Sequence, residues 1–317
     1  MKLRDVMSKI RFCPHCRAQV QNEATFCYFC GGSIPKRSPA KSFFIALLKC
    51  LGFYGFFSIV RELISIVFLI FVAVSRALTD GAAFDPEALL EALMQYQAEI
   101  GIISTGIIVL GYSLFFRIIK KRFACEIRLK RVSAGGALSS VVFGVACLFT
   151  VSVGLAFLYS IFPDLASHSN SDELTEMMES GNLFLTVLNV TVFTGIVEEV
   201  LFRGLIYNTL KKAAPRGAAI LASAVIFGLA HMNIEQFFYT ALLGALLCLV
   251  YDRFDSIIAP IILHATFNGS NYLLGALNFK YDIVYIALML VSAALIMIFA
   301  GMVFFTEKVP AKRVQRN

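Results

Sequence analysis

The sequence predicts an all-α polytopic membrane protein of about eight transmembrane helices, preceded by a small cysteine-bearing module. Three observations carry that expectation. The 317 residues have a mean hydropathy of +0.77, with 58% hydrophobic and only 15% charged residues, far from a soluble globular average. The apolar residues fall in runs long enough to cross a bilayer, with Lys and Arg gathered in short blocks between them. The N-terminal stretch, in contrast, is polar and holds two closely spaced cysteine pairs.

A net charge of +7 raises nucleic acid as a partner. The placement of the basic blocks between apolar runs fits a topology signal far better, so the expected environment is the lipid bilayer and no nucleic acid is expected. No secretory signal peptide is expected, because the first residues contain no apolar core of the required length.

Residues 1–34 read as a separate unit. Cys13-Pro14-His15-Cys16 is followed, ten residues on, by Cys27-Tyr28-Phe29-Cys30-Gly31-Gly32. Two Cys-x-x-Cys knuckles at this separation suit one zinc held tetrahedrally by four thiolates, a zinc ribbon with Cys13, Cys16, Cys27 and Cys30 as ligands. The span is too short to build a core, so the structural zinc supplies most of its folding energy. A disulfide framework is the alternative, disfavoured if this end is cytosolic. His15 reads as a knuckle residue rather than a ligand. Residues 35–41, with Pro35-Lys36-Arg37-Ser38-Pro39, read as a linker to a membrane domain over 42–317.

The apolar run 42–78 is too long for one simple span and is interrupted by Arg61-Glu62. It reads either as an interfacial helix followed by a span or as one long helix that protrudes from the bilayer. An acidic segment follows, then expected spans at about 100–119, 137–162, 183–210, 218–231, 237–251, 257–277 and 283–305. Basic residues fall before the first span, after the second and fourth, near the end of the sixth and after the eighth. Eight spans with both termini cytoplasmic satisfy that alternation. The cysteine module then lies in the reducing compartment, as zinc binding prefers. Cys50, Cys125, Cys147 and Cys248 are scattered and read as small buried hydrophobes. No internal repeat supports an inverted-repeat transporter.

The fourth span carries Glu198-Glu199-Val200-Leu201-Phe202-Arg203. Ionisable groups cost roughly 2.5–3.5 kcal/mol each at the centre of a span on insertion scales, so they are paired or used. Glu199 and Arg203 share a helix face at i,i+4 and are expected to form an ion pair. Glu198 points about 100° away and stays free. Two histidines fall in other spans: His231 closes Phe227-Gly228-Leu229-Ala230-His231, and His264 shares a face with Asn268 on the seventh. Unpaired polar groups are expensive in lipid, so Glu198, His231, His264 and Asn268 are expected to converge on one pocket. Asn189, Asn208, Asn271 and Tyr272 are candidates for its border. A Glu beside a His can take a proton from water, and a second His with an Asn can hold a developing oxyanion. A Glu and two His can equally ligate a metal with open positions for water. The pattern His-Glu-x-x-His is absent.

Glu198-Glu199-x-x-x-Arg203, Phe227-x-x-x-His231 and His264-x-x-x-Asn268, in this order on successive apolar helices, resemble the three motifs of the CAAX protease and bacteriocin-processing (CPBP, Abi) family of intramembrane endopeptidases. The resemblance covers a core over 183–276. It implies that Glu198 and His231 activate water, that His264 and Asn268 stabilise the oxyanion, and that Glu199 and Arg203 support them. It implies a membrane-associated protein or peptide as substrate. The family has also been called metalloprotease, and a catalytic metal stays open. A zinc-ribbon fusion points to a prokaryotic cell membrane. The alternative is a non-enzymatic membrane binding or immunity protein of the same fold, and an ion transporter is a third class. Equal counting from the basic ends places Glu198 and His264 at similar depth but His231 nearer the far side. The fifth helix is therefore expected to start deeper, to tilt or to be broken.

Overall fold

The computed structural model describes residues 10–12, 18–21, 26–31, 39–79, 85–162, 181–276, 287, 290–296 and 298. The chain divides into two compact units, Met1–Leu47 and Leu48–Asn317. In the first, β1 (Ile10–Phe12) pairs antiparallel with β2 (Gln19–Gln21), Arg11 opposite Val20. Val20 and Cys27 are buried together with Ala18 against them. The Gly31 amide donates to the Cys27 carbonyl at 2.7 Å, and Gly31 has φ +68°. That left-handed conformation favours glycine and closes the turn between Cys27 and Cys30. Cys13 and Cys16 lie outside the described residues.

The helices follow from long apolar runs. α1 (Pro39–Thr79) is one continuous helix of 41 residues. At 1.5 Å per residue it is about 60 Å long, twice a hydrocarbon core, so the protruding-helix alternative holds. The acidic stretch after it contains a short helix, α2 (Pro86–Gln95), which the apolar pattern does not announce. Asp85 caps it by accepting from the amides of Glu87 and Ala88, and Pro86 occupies its first turn, where a missing N–H is harmless. Then come α3 (Gln97–Ile118), the single turn α4 (Phe123–Glu126) and α5 (Ala134–Ile161). α6 (Leu183–Lys211) carries the Glu-Glu stretch, followed by α7 (Arg216–Leu229), α8 (Ile234–Phe254) and α9 (Ile258–Ala276). Among the described residues five helices, α1, α3, α5, α6 and α8, are long and apolar enough to cross a membrane. α7 is apolar but has only 14 residues, about 21 Å. The acidic loop between α5 and α6, most of the expected eighth span and the basic tail lie outside the described residues.

Aromatic contacts give the order along the bundle. Phe53 packs on Tyr112 and Phe116, and Phe68 on Tyr96, so α1 and α3 run antiparallel. The Tyr112 hydroxyl donates to the Phe53 carbonyl at 2.8 Å. Gly101 lies against the Asn189 side chain, and the Thr105 hydroxyl donates to the Phe193 carbonyl, which sets α3 beside the first half of α6. α5 packs on α9, and α7 pairs with α8 as a hairpin.

One end of the bundle is clamped by charge. Asp252, near the end of α8, has only 7% of its side chain exposed and faces Lys211, Arg216 at 2.9 Å and Arg128 at 3.5 Å, while the Tyr207 hydroxyl donates to it at 2.8 Å. The connection after α3 is drawn into the same place. Arg128 lies 4.7 Å over the Tyr251 ring, and the Lys130 carbonyl accepts from the Ser256 hydroxyl. Glu126 pairs with Lys121 and Lys212, both at 3.1 Å. Burial raises the Glu126 pKa, but these two hydrogen bonds outweigh it and hold the carboxyl below its ordinary value. The ends of α3, α6 and α8 therefore share one side. Cys50, Cys147 and Cys248 are buried as expected, but Cys125 is exposed, because α4 is a surface turn in this clamp and not part of an apolar span.

Asp252→Asn removes the common counter-charge of three cations and leaves them repelling one another. We expect a loss of about 2 kcal/mol or more, the scale of a hydrogen bond to a charged group. The thermal unfolding midpoint of the purified protein in detergent should fall accordingly, and an unchanged midpoint contradicts the clamp.

Candidate active site

α6 is not a uniform helix. Its backbone is α over Leu183–Leu188, π over Asn189–Phe193, α over Thr194–Glu199, π over Val200–Tyr207 and α again over Asn208–Lys211. A π segment widens the turn and releases carbonyls from the i→i−4 ladder, so lateral partners must take them. They do. Asn268 on α9 donates Nδ2 to the Val190 carbonyl at 2.9 Å, and Thr105 on α3 reaches the Phe193 carbonyl. Glu198 and Glu199 close the short α stretch between the two widened segments.

Glu199 and Arg203 are both fully buried and form the expected ion pair, Arg203 Nη1 donating to Glu199 Oε1 at 2.7 Å. The pair is supported on three sides. Arg203 Nη2 donates to the Gly244 carbonyl at 3.2 Å, and its guanidinium carbon stands 4.2 Å over the Phe227 ring. Gly244 permits that approach, since a Cβ there would lie 3.3 Å from Arg203 Nη2 and 3.0 Å from Phe227 Cδ1. The third support is His264 of α9, whose Nδ1 lies 2.9 Å from the same Glu199 oxygen. A carboxylate only accepts, so Nδ1 donates to it, and Nε2 is the ring nitrogen left over. That nitrogen is 3.8 Å from Glu198 Oε2.

His231 lies just beyond the C-terminus of α7. Its Nδ1 is 2.8 Å from the Phe227 carbonyl, so it donates to a terminal carbonyl of its own helix and leaves Nε2 over. Met232, next to it, has φ +54°, a left-handed conformation that a non-glycine residue adopts at a cost of about 1 kcal/mol. The level of His231 follows from the contacts of α7 with α6. α7 stops at Leu229, and its Phe227 ring packs on Phe202 at 4.8 Å and on His264 at 6.0 Å. His231 therefore sits one turn further on, at the level of Glu198.

Glu198, 17% exposed, and His231 line the same cavity of about 340 Å³, with Phe202 and Ala230 between them. The facing wall is one stripe of α1, Tyr54, Phe57, Ser58, Arg61 and Glu62, at i, i+3, i+4, i+7 and i+8. His264 and Asn268 are not among the residues that line this cavity. Sequence reasoning brings Glu198 and His231 to one pocket, but it takes Arg61-Glu62 only as a break in an apolar run. Their stripe with Tyr54, Phe57 and Ser58 is the signal that could have found them. Asn208 is not at the pocket. It donates to the Glu126 carbonyl at 2.9 Å and lies 2.6 Å from the Tyr251 hydroxyl at the clamped end. Asn189 lies against α3, Asn271 is exposed, and the Tyr272 side chain lies outside the described residues.

No group of three or more His, Cys, Asp or Glu side chains among the described residues is arranged to hold a metal ion.

Residues 180–270 match the Rce1-like family. That family model is described as type II CAAX prenyl endopeptidase Rce1-like, and the Rce1-like segment runs from just before α6 into α9, containing every residue of the buried triad and the cavity's Glu198 and His231. Among curated proteins, the chain is 25% identical over 121 residues to "Putative membrane peptidase YdiL" of Bacillus subtilis (strain 168), covering 38% of this chain and 49% of that protein. The chain thus spans about half the length of the curated relative it matches. No solved structure matches it.

Glu199→Gln leaves Arg203 charged and short of its partner in a buried site, where breaking a pair costs about 3–5 kcal/mol. Adding Arg203→Met removes the orphan charge and should recover part of that loss. Thermal unfolding of the two variants and the parent tests this, and equal instability of single and double variants argues against the pair.

Proposed function

We propose that the chain is an intramembrane endopeptidase that hydrolyses a peptide bond of a membrane-associated protein or peptide. The observation that carries this reading is a free carboxylate, Glu198, and a histidine with a free Nε2, His231, on one cavity at the same level of an apolar bundle. The Rce1-like match over the same helices supports it. Glu198 takes a proton from a water held between it and His231, and the water oxygen attacks the substrate carbonyl. The proton then passes to the departing amine, with His231 as the second acceptor that keeps the water oriented. His264 is a positioning residue, because Glu199 holds its ring and its Nε2 lies against Glu198. An oxyanion role for His264 requires it to be protonated at both nitrogens. For Asn268 it requires the second amide hydrogen, the first being bonded to Val190. The basic, clamped end is assigned to the cytoplasm on the Lys/Arg asymmetry.

Glu198→Gln keeps size and polarity but removes basicity. Cleavage of a model membrane peptide should fall by about 10²–10⁴-fold while the unfolding midpoint stays unchanged. Normal turnover in this variant rejects the reading. Loss of the protein itself favours a structural polar cluster instead. The double variant Glu199→Gln with Arg203→Met, although partly restabilised, should stay less active than the parent, because a neutral amide oxygen replaces the carboxylate that anchors His264.

We further propose that the first unit binds one structural zinc through Cys13, Cys16, Cys27 and Cys30. Support comes from the strand pair that brackets the first knuckle and the tight glycine-closed turn of the second. Metal analysis of the full chain should show one zinc equivalent that is lost on Cys27→Ser with Cys30→Ser. Retention of that zinc by the double variant rules the site out.

A further inference from the structure

We propose that the first unit carries a membrane-docking face, on which Phe26, Tyr28 and Phe29 around the second cysteine pair settle at the headgroup level of an anionic bilayer. The unit lies outside the segment that matches the Rce1-like family, and the inference does not depend on the endopeptidase reading. The turn itself comes first. Cys27 is fully buried with Val20 and Ala18, and the bond from the Gly31 amide to the Cys27 carbonyl folds the chain back on itself there. The aromatic residues around that buried thiol turn outward. Phe26, Tyr28 and Phe29 are 67%, 74% and 68% exposed, so none of them serves as core. The Tyr28 and Phe29 rings meet at 4.8 Å and form one apolar surface. Three exposed rings within four residues mark an interaction site rather than scattered surface apolar groups.

Charge selects the partner. Residues 1–41 hold eight Lys and Arg against two acids, Asp5 and Glu23. A zinc held by four thiolates subtracts two charges and leaves the excess positive. Aromatic rings beside surplus cations suit the lipid–water interface, where rings lie among headgroups and Lys and Arg meet anionic lipid. Reach selects the same partner. Gly31 and Pro39, the first residue of α1, are eight positions apart, so the turn stays within about 28 Å of the helix start. Phe43, Phe44 and Ile45 follow within that helix, so its apolar run begins at once. The tether makes docking an intramolecular event at high effective concentration, and a face too small to hold vesicles by itself then suffices. Aromatic and basic surfaces also bind single-stranded nucleic acid. A nucleic acid must be met in solution, whereas the bilayer is already within reach.

The chain contains no Trp, so Phe29→Trp or Phe26→Trp places a single reporter on the face. Each full-length variant is reconstituted in symmetrical vesicles of phosphatidylcholine with or without phosphatidylglycerol, so that either orientation meets the same lipid. With phosphatidylglycerol, the emission should shift to the blue, become shielded from acrylamide and be quenched by lipid brominated high in its chains. Without it, or in high salt, the emission should return to that of a ring in water. Lys36→Gln with Arg37→Gln should lower the ratio of docked to free face by about fivefold for each charge removed. Water-like emission from both reporters in both kinds of vesicle overturns the proposal. Shielding from acrylamide without quenching by lipid also overturns it and marks a face covered by protein. Equal lipid quenching in both kinds of vesicle, unchanged by salt and by the Gln variants, overturns docking selected by charge. A blue shift that appears only when an oligonucleotide is added assigns the face to nucleic acid instead.

Discussion

One buried carboxylate oxygen holds this site together. Glu199 Oε1 accepts from Arg203 within its own helix and from His264 across to α9. In a medium where neither charge is hydrated, the separated ions are far less favourable than the pair, so α6 and α9 are locked in one register. Arg203 extends the lock to α8 through the Gly244 carbonyl and to α7 through the face of Phe227. Four helices thus meet on a single ion pair. The orientation of His264 follows from it, since the bond at Nδ1 leaves Nε2 directed at Glu198.

Helix geometry leaves the adjacent carboxylate outside this lock. Glu198 and Glu199 are successive residues, so they point in directions about 100° apart, one into the bundle and one to the cavity. The widened segments on either side of them serve the same end. The first π segment frees carbonyls for side chains of α3 and α9, and these bonds hold α6 to its neighbours without using the carboxylates. α7 completes the arrangement by ending beside the site. His231, bonded to the Phe227 carbonyl just past its last turn, stands at the level of Glu198.

Charge at the two levels of the bundle serves opposite purposes. At the clamped end, Asp252 and Glu126 neutralise a ring of lysines and arginines, which ties the connection after α3 to α6, α7 and α8. These groups are near water, and their pairing is a matter of stability. Half-way along α1, Arg61 and Glu62 face a cavity instead of counter-ions.

Much of this is legible in the sequence. Hydropathy and basic blocks locate each long described helix to within a few residues, because lipid demands long apolar helices and punishes charge in them. The short α2 and α4 escape that signal, since neither is an apolar run. The i,i+4 spacing alone identifies Glu199–Arg203 as the pair and Glu198 as the free group, since both partners belong to one helix. What only the tertiary structure decided depends on neighbours distant in the chain. Asn208 binds at the clamped end and not the pocket because Glu126 and Tyr251 meet it there. Asn268 bonds a carbonyl of α6 because that helix widens, and no local pattern in Asn189–Phe193 announces the widening. Arg61 changes from an interruption in an apolar run to a wall of the cavity because α1 lies across it. Sequence spacing determines which face of a helix a residue occupies; only packing determines what that face meets.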